Sequence, residues 1–416
     1  MISPNQPLNL PQGFRAHIAN IGIKDATEDF AVIASQVPCR SVAMFTRSLF
    51  AGPSVLLSRR NAEANNLQAV VVVSKNANVA TGAEGLANAE ELCRGVALAV
   101  GCAESEVLVT STGVIGRQYP MDRIRSHLSH LEQVALDDRT ASPASSRAFD
   151  STDAVAIASA MMTTDTHPKT ACATLPTRRS DGTVGMATVV GMAKGVGMIE
   201  PDMATMLSFV FTDAELPTEA LERVFRNSVE RSFNSLSVDT DTSTSDTAAI
   251  LANGLAGSVN ESEFAAALSK VCTELTRQLA RDGEGATTLL LVQVQQARDE
   301  SQAKRVAKSI LNSPLVKTAV HGADPNWGRV AMAIGKCSED TDIDQTKVVI
   351  RFGESEVYPR SVGDAELTEM EHYLAGDEVV ISVDLGVNLD VDAASWTVYG
   401  CDLSDGYVRI NADYTT

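Results

Sequence analysis

The chain has 416 residues, 44% hydrophobic and 21% charged, enough for a large core or two lobes in an ordinary soluble globular enzyme. A formal net charge of −19 argues against nucleic acid or an anionic membrane as partner, because both demand basic surface. No apolar run approaches the roughly 18 residues that a membrane crossing needs. The opening MISPNQPLNLPQGF carries no basic and apolar leader, and the seven cysteines show no CxxC spacing. The expectation is a cytoplasmic protein with reduced core thiols, no metal and no cofactor.

Residues 67–74 (LQAVVVVS) form a β-branched apolar run that suits a buried strand, followed by a turn at NANVATG. The Ala/Glu-rich stretch 84–101 predicts a helix, and VLVTSTGVIG (107–116) a strand entering a glycine turn, a sensible place to present a hydroxyl and a backbone N–H. Residues 136–152 lack periodicity and predict a surface loop or insertion. PTRRSDG at 176–182 fits a hairpin tip. LSFVFTDA from 207 predicts a strand. Pro217 then introduces a helix with Leu221, Val224, Phe225 and Val229 on one face. A second helix spans 261–280, with apolar residues at three- and four-residue spacing from Phe264 to Leu279. Strands are predicted at 286–295, 347–353, 378–387, 396–404 and 407–411 (YVRIN). Strands and helices mix without a regular βαβ repeat, so the fold class is α+β, with stacked β-sheets flanked by helices.

One segment carries chemistry of its own. KGVGMIEPDMATML (194–207) places small Ala204 before Thr205. If the bond between them is cut, Thr205 gains a free α-amine beside its Oγ, a nucleophile with its own base. A terminal amine titrates near 7.7–8.0, whereas an amide nitrogen is not basic. On residues alone a Gly/Met/Pro-rich stretch of this kind is most often just a buried turn.

The segment resembles the self-cleavage motif of the ornithine acetyltransferase (glutamate N-acetyltransferase) family. Similar strings follow the family's order along nearly the whole chain. They are STGVIG at 111–116, TTDT at 163–166, DTDTSTSDT at 239–247, DGEGAT at 282–287, GADPNWGR at 322–329 and NADYTT at 411–416. The resemblance implies a DmpA/ArgJ-like fold cut into an α chain, 1–204, and a β chain, 205–416, remaining in one folded body. It implies acetyl transfer from N2-acetyl-L-ornithine to L-glutamate in the cyclic arginine pathway, by a ping-pong route through an acetyl-threonine. Some members also acetylate glutamate from acetyl-CoA. It further implies a dimer of cleaved protomers, an α2β2 heterotetramer.

Residue by residue, the resemblance assigns Thr205 as nucleophile and Thr112 (hydroxyl) with Gly113 (N–H) as oxyanion donors. Without it, 112–113 is a strand-ending turn. Lys194 would contact substrate at an α-carboxylate, though a lysine before glycine is ordinarily a solvated turn residue. Thr163 or Thr164 would bind substrate, while Asp165 could cap a turn. Glu284 would face the ornithine side-chain amine, or else sit in an exposed acidic turn. Asn411 and Thr416 would close the pocket from a tail that would otherwise fray. DTDTSTSDT reads as a hydrogen-bonded turn near the site or as oxygen ligands for a metal. Trp327 and Arg329 would brace the pocket or an interface. The six histidines show no metal-ligand pattern.

The chain departs from the family at three places. VSKNAN stands where NSGNAN is usual, with Val73 and Lys75 as the changed residues, and Thr288 replaces a lysine. The Lys75 and Thr288 departures motivate a specialised-pathway paralogue with an altered acyl donor or acceptor. Further rivals are a self-cleaving aminopeptidase with water as acceptor, and an uncut, non-catalytic amino-acid-binding protein.

Overall fold

The computed structural model describes residues 8–24, 26–141, 148–179, 181–200, 206–390 and 392–413. The expectations placed on Ala204, Thr205 and Thr416 therefore lie outside the described residues.

A four-stranded sheet runs in the order Phe14–Ala19, Phe30–Ser35, Ala69–Val73, Val107–Ser111. Its last pair is parallel and the others antiparallel. The period-2 rule sorts its central strands. Val70 and Val72 point into a cluster shared with Phe209, Phe211 and Leu251, whereas Ala69, Val71 and Val73 join Leu92, Val96 and Ile124 from the helices Gly82–Val100 and Met121–Ala141. Both faces are buried, so the run reads as continuously apolar rather than alternating.

The second sheet stacks on the first. It comprises Arg40–Phe45, Thr247–Ser258, Leu207–Glu215, Val184–Lys194 and Lys169–Arg178. Leu207, Phe209 and Phe211 face the first sheet, and Val210 faces the opposite cluster with the helices Thr218–Arg231 and Glu261–Arg281. Asn260 starts the longer helix by accepting from the Ser262 and Glu263 N–H groups at 2.9 and 3.2 Å. The result is helix pair, sheet, sheet, helix pair.

A third sheet, six-stranded, runs Ser355–Tyr358, Val349–Phe352, Glu378–Asp384, Leu289–Ala297, Ala394–Cys401, Leu236–Ser237. Leu290, Val292 and Val294 pack beneath the helices Glu300–Leu311 and Trp327–Gly335, while Leu289 and Leu291 return to the helix Glu261–Arg281 cluster. The stacked α+β arrangement agrees with the sequence reading, as does the hairpin turn between Arg178 and Val184. The seven cysteines form no disulfide.

Two local expectations fail. YVRIN is not a strand: it lies in a helix, Asp405–Asp413. Alternating Val408 and Ile410 mimic a strand face, yet both are exposed, 64% and 38%, and no sheet edge receives them. The predicted loop at 136–152 begins as helix, because Met121–Ala141 runs through its first six residues and buries Leu128, Leu131 and Ala135 along one face. Residues 142–147 of that stretch lie outside the described residues.

Candidate active site

A cavity of about 180 Å³ opens where the two stacked sheets meet the C-terminal helix. That is smaller than the roughly 300–1,000 Å³ of pockets for drug-sized ligands, and it suits an amino-acid-sized molecule. Thr112, Gly113, Thr163, Thr164, Lys194, Glu284 and Asn411 all line it, although five separate chain segments supply them. Met206 and Leu207, the first described residues after position 205, line it too.

Thr112 and Gly113 follow directly on the strand Val107–Ser111. The Thr112 N–H donates to the Val73 carbonyl at 3.0 Å, which carries the sheet one residue further. Gly113 has φ +127°, and a Cβ there would come within 2.3 Å of the Lys75 carbonyl carbon. Only glycine fits this turn. Lys75 itself holds φ +71° and directs its ammonium to the Thr27 carbonyl at 3.1 Å. Thr288, another departure, donates to the Gly376 carbonyl at 3.2 Å. Neither departing side chain is among the residues lining the cavity.

Lys194 ends the strand Val184–Lys194. Its Nζ donates to Thr112 Oγ1 at 3.3 Å and stands 3.9 Å from Asp165 Oδ2. With that oxygen accepting from Lys194, the Thr112 hydroxyl proton is left to aim elsewhere. Burial pushes the Lys194 ammonium below its ordinary pKa, partly opposed by Asp165.

Asp165 does more than cap a turn. Its side chain is fully buried, 2.8 Å from Lys169 Nζ. It also accepts from the Gly195 N–H at 2.7 Å and the Thr163 N–H at 3.1 Å. Burial would raise its pKa, but the charges of Lys194 and Lys169 with these hydrogen bonds outweigh that and hold it at about 2. Lys169 also reaches Asp282 at 2.6 Å, and Asp282 accepts from the Thr166 N–H at 3.0 Å. This network ties TTDT to DGEGAT and so fixes the position of Glu284.

The Glu284 carboxylate accepts from Thr164 Oγ1 at 3.3 Å and from Asn411 Nδ2 at 2.9 Å. Thus Thr164, not Thr163, is the threonine whose hydroxyl meets Glu284. A Cβ at Gly197 would lie 2.4 Å from that carboxylate, and one at Gly285 would lie 2.3 Å from the Tyr407 nitrogen. Tyr407 and Asn411, four apart on one helix face, both line the cavity. The tail is therefore docked rather than frayed up to Asp413.

The hydroxyl-rich 239–247 segment forms another wall. Asp239 accepts from the Met198 and Ile199 N–H groups at 2.7 and 2.8 Å, pinning the chain that leads toward residue 204. Among the described residues no group of three His, Cys, Asp or Glu side chains is placed to hold a metal. Trp327 stacks on Tyr358 with centroids 4.9 Å apart and does not line this cavity.

The residues missed from sequence are Asp165, Lys169, Asp282, Asp239 and Tyr407. Asp165 and Asp282 sat inside the recognised strings; Lys169 gave no signal, because its role rests on a partner 113 positions away.

Comparison with known proteins agrees along the whole chain. Glutamate N-acetyltransferase Oat2 of Streptomyces clavuligerus is 54% identical over 412 residues, 98% of each chain. The arginine biosynthesis bifunctional protein ArgJ of Rhodococcoides fascians is 51% identical over 409 residues, 98% of this chain and 94% of that one. The solved ArgJ of Bacillus halodurans is 39% identical and covers 50% of this chain and 100% of its own, with a TM-score of 0.47. The ArgJ family profile matches residues 15–416. With identity above one half over nearly the full length, and the recognised strings brought together around one cavity, the chain belongs to the ArgJ family.

Proposed function

We propose that the protein is a glutamate N-acetyltransferase that moves an acetyl group from N2-acetyl-L-ornithine to L-glutamate through an acetyl ester on Thr205. The observation that carries the reading is the convergence on one cavity of Thr112, Gly113, Lys194 and Glu284, with Met206, covalently joined to Thr205, in its wall. The names of the relatives supply the reaction class.

The chain first cuts itself. Thr205 Oγ attacks the Ala204 carbonyl carbon, the C–N bond breaks, and the resulting ester is opened by water. Residues 1–204 and 205–416 become two chains of one body, and Thr205 gains its α-amine. In the first half-reaction Oγ attacks the acetyl carbonyl while the amine accepts its proton. The Thr112 hydroxyl and the Gly113 N–H donate to the oxyanion; collapse expels ornithine, whose nitrogen takes the proton back. Glutamate's amine then attacks the acetyl ester and releases Thr205.

Charge placement fits such a donor. Lys194 is the only cation among the described cavity residues and suits an α-carboxylate, while Glu284 faces the same space and suits a side-chain ammonium. Thr163, Thr164, Asn411 and Thr416 complete the proposed substrate contacts. Direct acetylation of glutamate from acetyl-CoA is the further activity we assign to the same site. Among the described residues no helix is long and apolar enough to cross a membrane, and we place the reaction in the cytoplasm.

Denaturing electrophoresis tests the reading. The wild-type protein should give two fragments of 204 and 212 residues, and Thr205→Ala one full-length, inactive chain. A fully active uncut chain would overturn it. Acetylglutamate formation from acetylornithine separates transfer from the aminopeptidase alternative, and a panel of acetylated amino acids separates it from the paralogue.

A further inference from the structure

The turn that carries Thr112 and Gly113 is bracketed by one residue of the neighbouring loop. Ala77 donates its N–H to the Val114 carbonyl at 3.0 Å, and its own carbonyl accepts from Ser111 Oγ at 2.9 Å. A single residue thus holds the positions on either side of the two proposed oxyanion donors. Ala77 itself lines the cavity.

Ser111 reaches Ala77 from behind. On its strand Val107 and Val109 join the helix-side cluster, and Leu108 joins the cluster between the sheets. The period-2 rule puts Ser111 with the two valines and Thr112 with Leu108, toward the cavity that Thr112 lines. On the helix side, Ser54 of the helix Pro53–Asn61 has its Oγ 2.8 Å from Ser111 Oγ, and the Tyr119 hydroxyl lies 2.8 Å from Ser54 Oγ. Ser54, Ser111 and Tyr119 are all buried.

Proton bookkeeping gives this chain a direction. A carbonyl only accepts, so Ser111 gives its hydrogen to Ala77. Ser54 must then donate to Ser111, and Tyr119 to Ser54. Burial raises the Tyr119 phenol above its ordinary pKa, so the first donor keeps its hydrogen. Buried hydroxyls cost free energy unless each finds a partner. Here each does, and together they impose a geometry that apolar packing would leave loose.

We propose that Ser111 is a positioning residue: backed by Ser54 and Tyr119, it fixes through Ala77 the turn from which Thr112 and Gly113 donate to the oxyanion. This rests on the oxyanion reading above. Ser111 touches no reacting atom and acts by keeping the turn from shifting. Oxyanion donors work when they are held in advance where charge develops, and a displacement of about 1 Å can cost about 10²-fold.

The test is steady-state kinetics with N-acetylornithine and glutamate on Ser111→Ala, Tyr119→Phe and Thr112→Ala, with rates normalised to the cut fraction on denaturing gels. Ser111→Ala should lower kcat about tenfold and leave KM unmoved, the pattern of a group that acts only in the transition state. Tyr119→Phe removes one oxygen at the far end of the chain. It should give a smaller fall of the same kind, and it decides the matter even if Ser111→Ala fails to fold. In the double variant Ser111→Ala/Thr112→Ala the loss should fall short of the product of the single losses, because both act on one turn. Losses that multiply in the double variant would overturn the proposal, and so would an unchanged kcat in Tyr119→Phe. A near-normal kcat in Thr112→Ala sinks the oxyanion reading itself, and the proposal with it.

Discussion

At the scale of single residues, the site is organised by which hydrogen each polar group has left to give. Thr112 Oγ1 accepts from Lys194, so its own proton is available for charge developing in the cavity. Thr112→Ala removes that donor together with the oxygen that accepts from Lys194, while the Thr112 backbone N–H keeps its bond to Val73. The expected outcome is a fall in kcat of about 10²–10³, near 2.7–4 kcal/mol of barrier, with KM almost unchanged; a steady-state assay with acetylornithine and glutamate checks it. Asp165 makes a different prediction. Its carboxyl titrates at about 2 against an ordinary 3.8, so as pH falls the unfolded chain binds this proton first. The stabilisation it gives is complete above 3.8 and is lost as pH drops from 3.8 through 2. Asp165→Asn leaves Lys169 with Asp282 alone, and breaking a buried pair of this kind costs about 3–5 kcal/mol at neutral pH. Urea midpoints should show a large deficit at pH 7 that narrows below pH 4; a deficit constant with pH would assign the loss to packing instead of charge.

At the scale of elements, the turn proposed to supply the oxyanion donors depends on backbone that side chains cannot replace. Gly113→Ala places a methyl group 2.3 Å from the Lys75 carbonyl carbon at φ +127°. We expect a destabilisation well beyond the roughly 0.4–1 kcal/mol scale of benign Gly/Ala exchanges, together with loss of transfer, read from thermal melts and turnover on the same sample. This turn was legible in the sequence because STGVIG combines a β-branched strand with glycines at its end. The strands around 67–74, 207–214 and 286–295 were legible for the same reason: continuous apolar runs buried on both faces leave one reading. YVRIN was not. Tyr407, Val408, Arg409 and Ile410 fit a two-residue period as well as a helical one, and the tie was broken by tertiary contacts, since Tyr407 and Asn411 must share a face to meet the cavity. The resemblance gathered Thr112, Lys194 and Glu284 as a list, yet nothing local in TTDT or DGEGAT announced that Asp165, Lys169 and Asp282 would join into one buried network. Sequence spacing reports neighbours within an element; the Lys169–Asp282 bond alone joins residues 113 positions apart.

At the scale of the whole molecule, the proposed cut falls between two strands that belong to one sheet. Val184–Lys194 pairs antiparallel with Leu207–Glu215, from Lys194↔Leu207 to Val189↔Thr212. Leu207–Glu215 also pairs with Thr247–Ser258, and Arg40–Phe45, from the N-terminal half, pairs with that same strand. Both halves thus contribute neighbouring strands, and the clusters on either side of the sheet draw side chains from both: Val190 and Met192 with Phe209 and Phe211 on one face, Val189 and Ala193 with Val210 and Phe225 on the other. Each fully buried Val, Leu or Phe of this kind is worth about 1.5–3 kcal/mol, so separating the halves would expose far more apolar surface than the free ends gained by cutting one peptide bond could offset. The expected result is that wild-type protein, cut in two under denaturing conditions, elutes in native buffer as one species holding both fragments in equal amounts. Its mass then decides assembly: an α2β2 tetramer corresponds to two such bodies, and one body alone would exclude it. Free 204- and 212-residue fragments in native buffer would contradict the shared-sheet account directly, whatever the activity of the mixture.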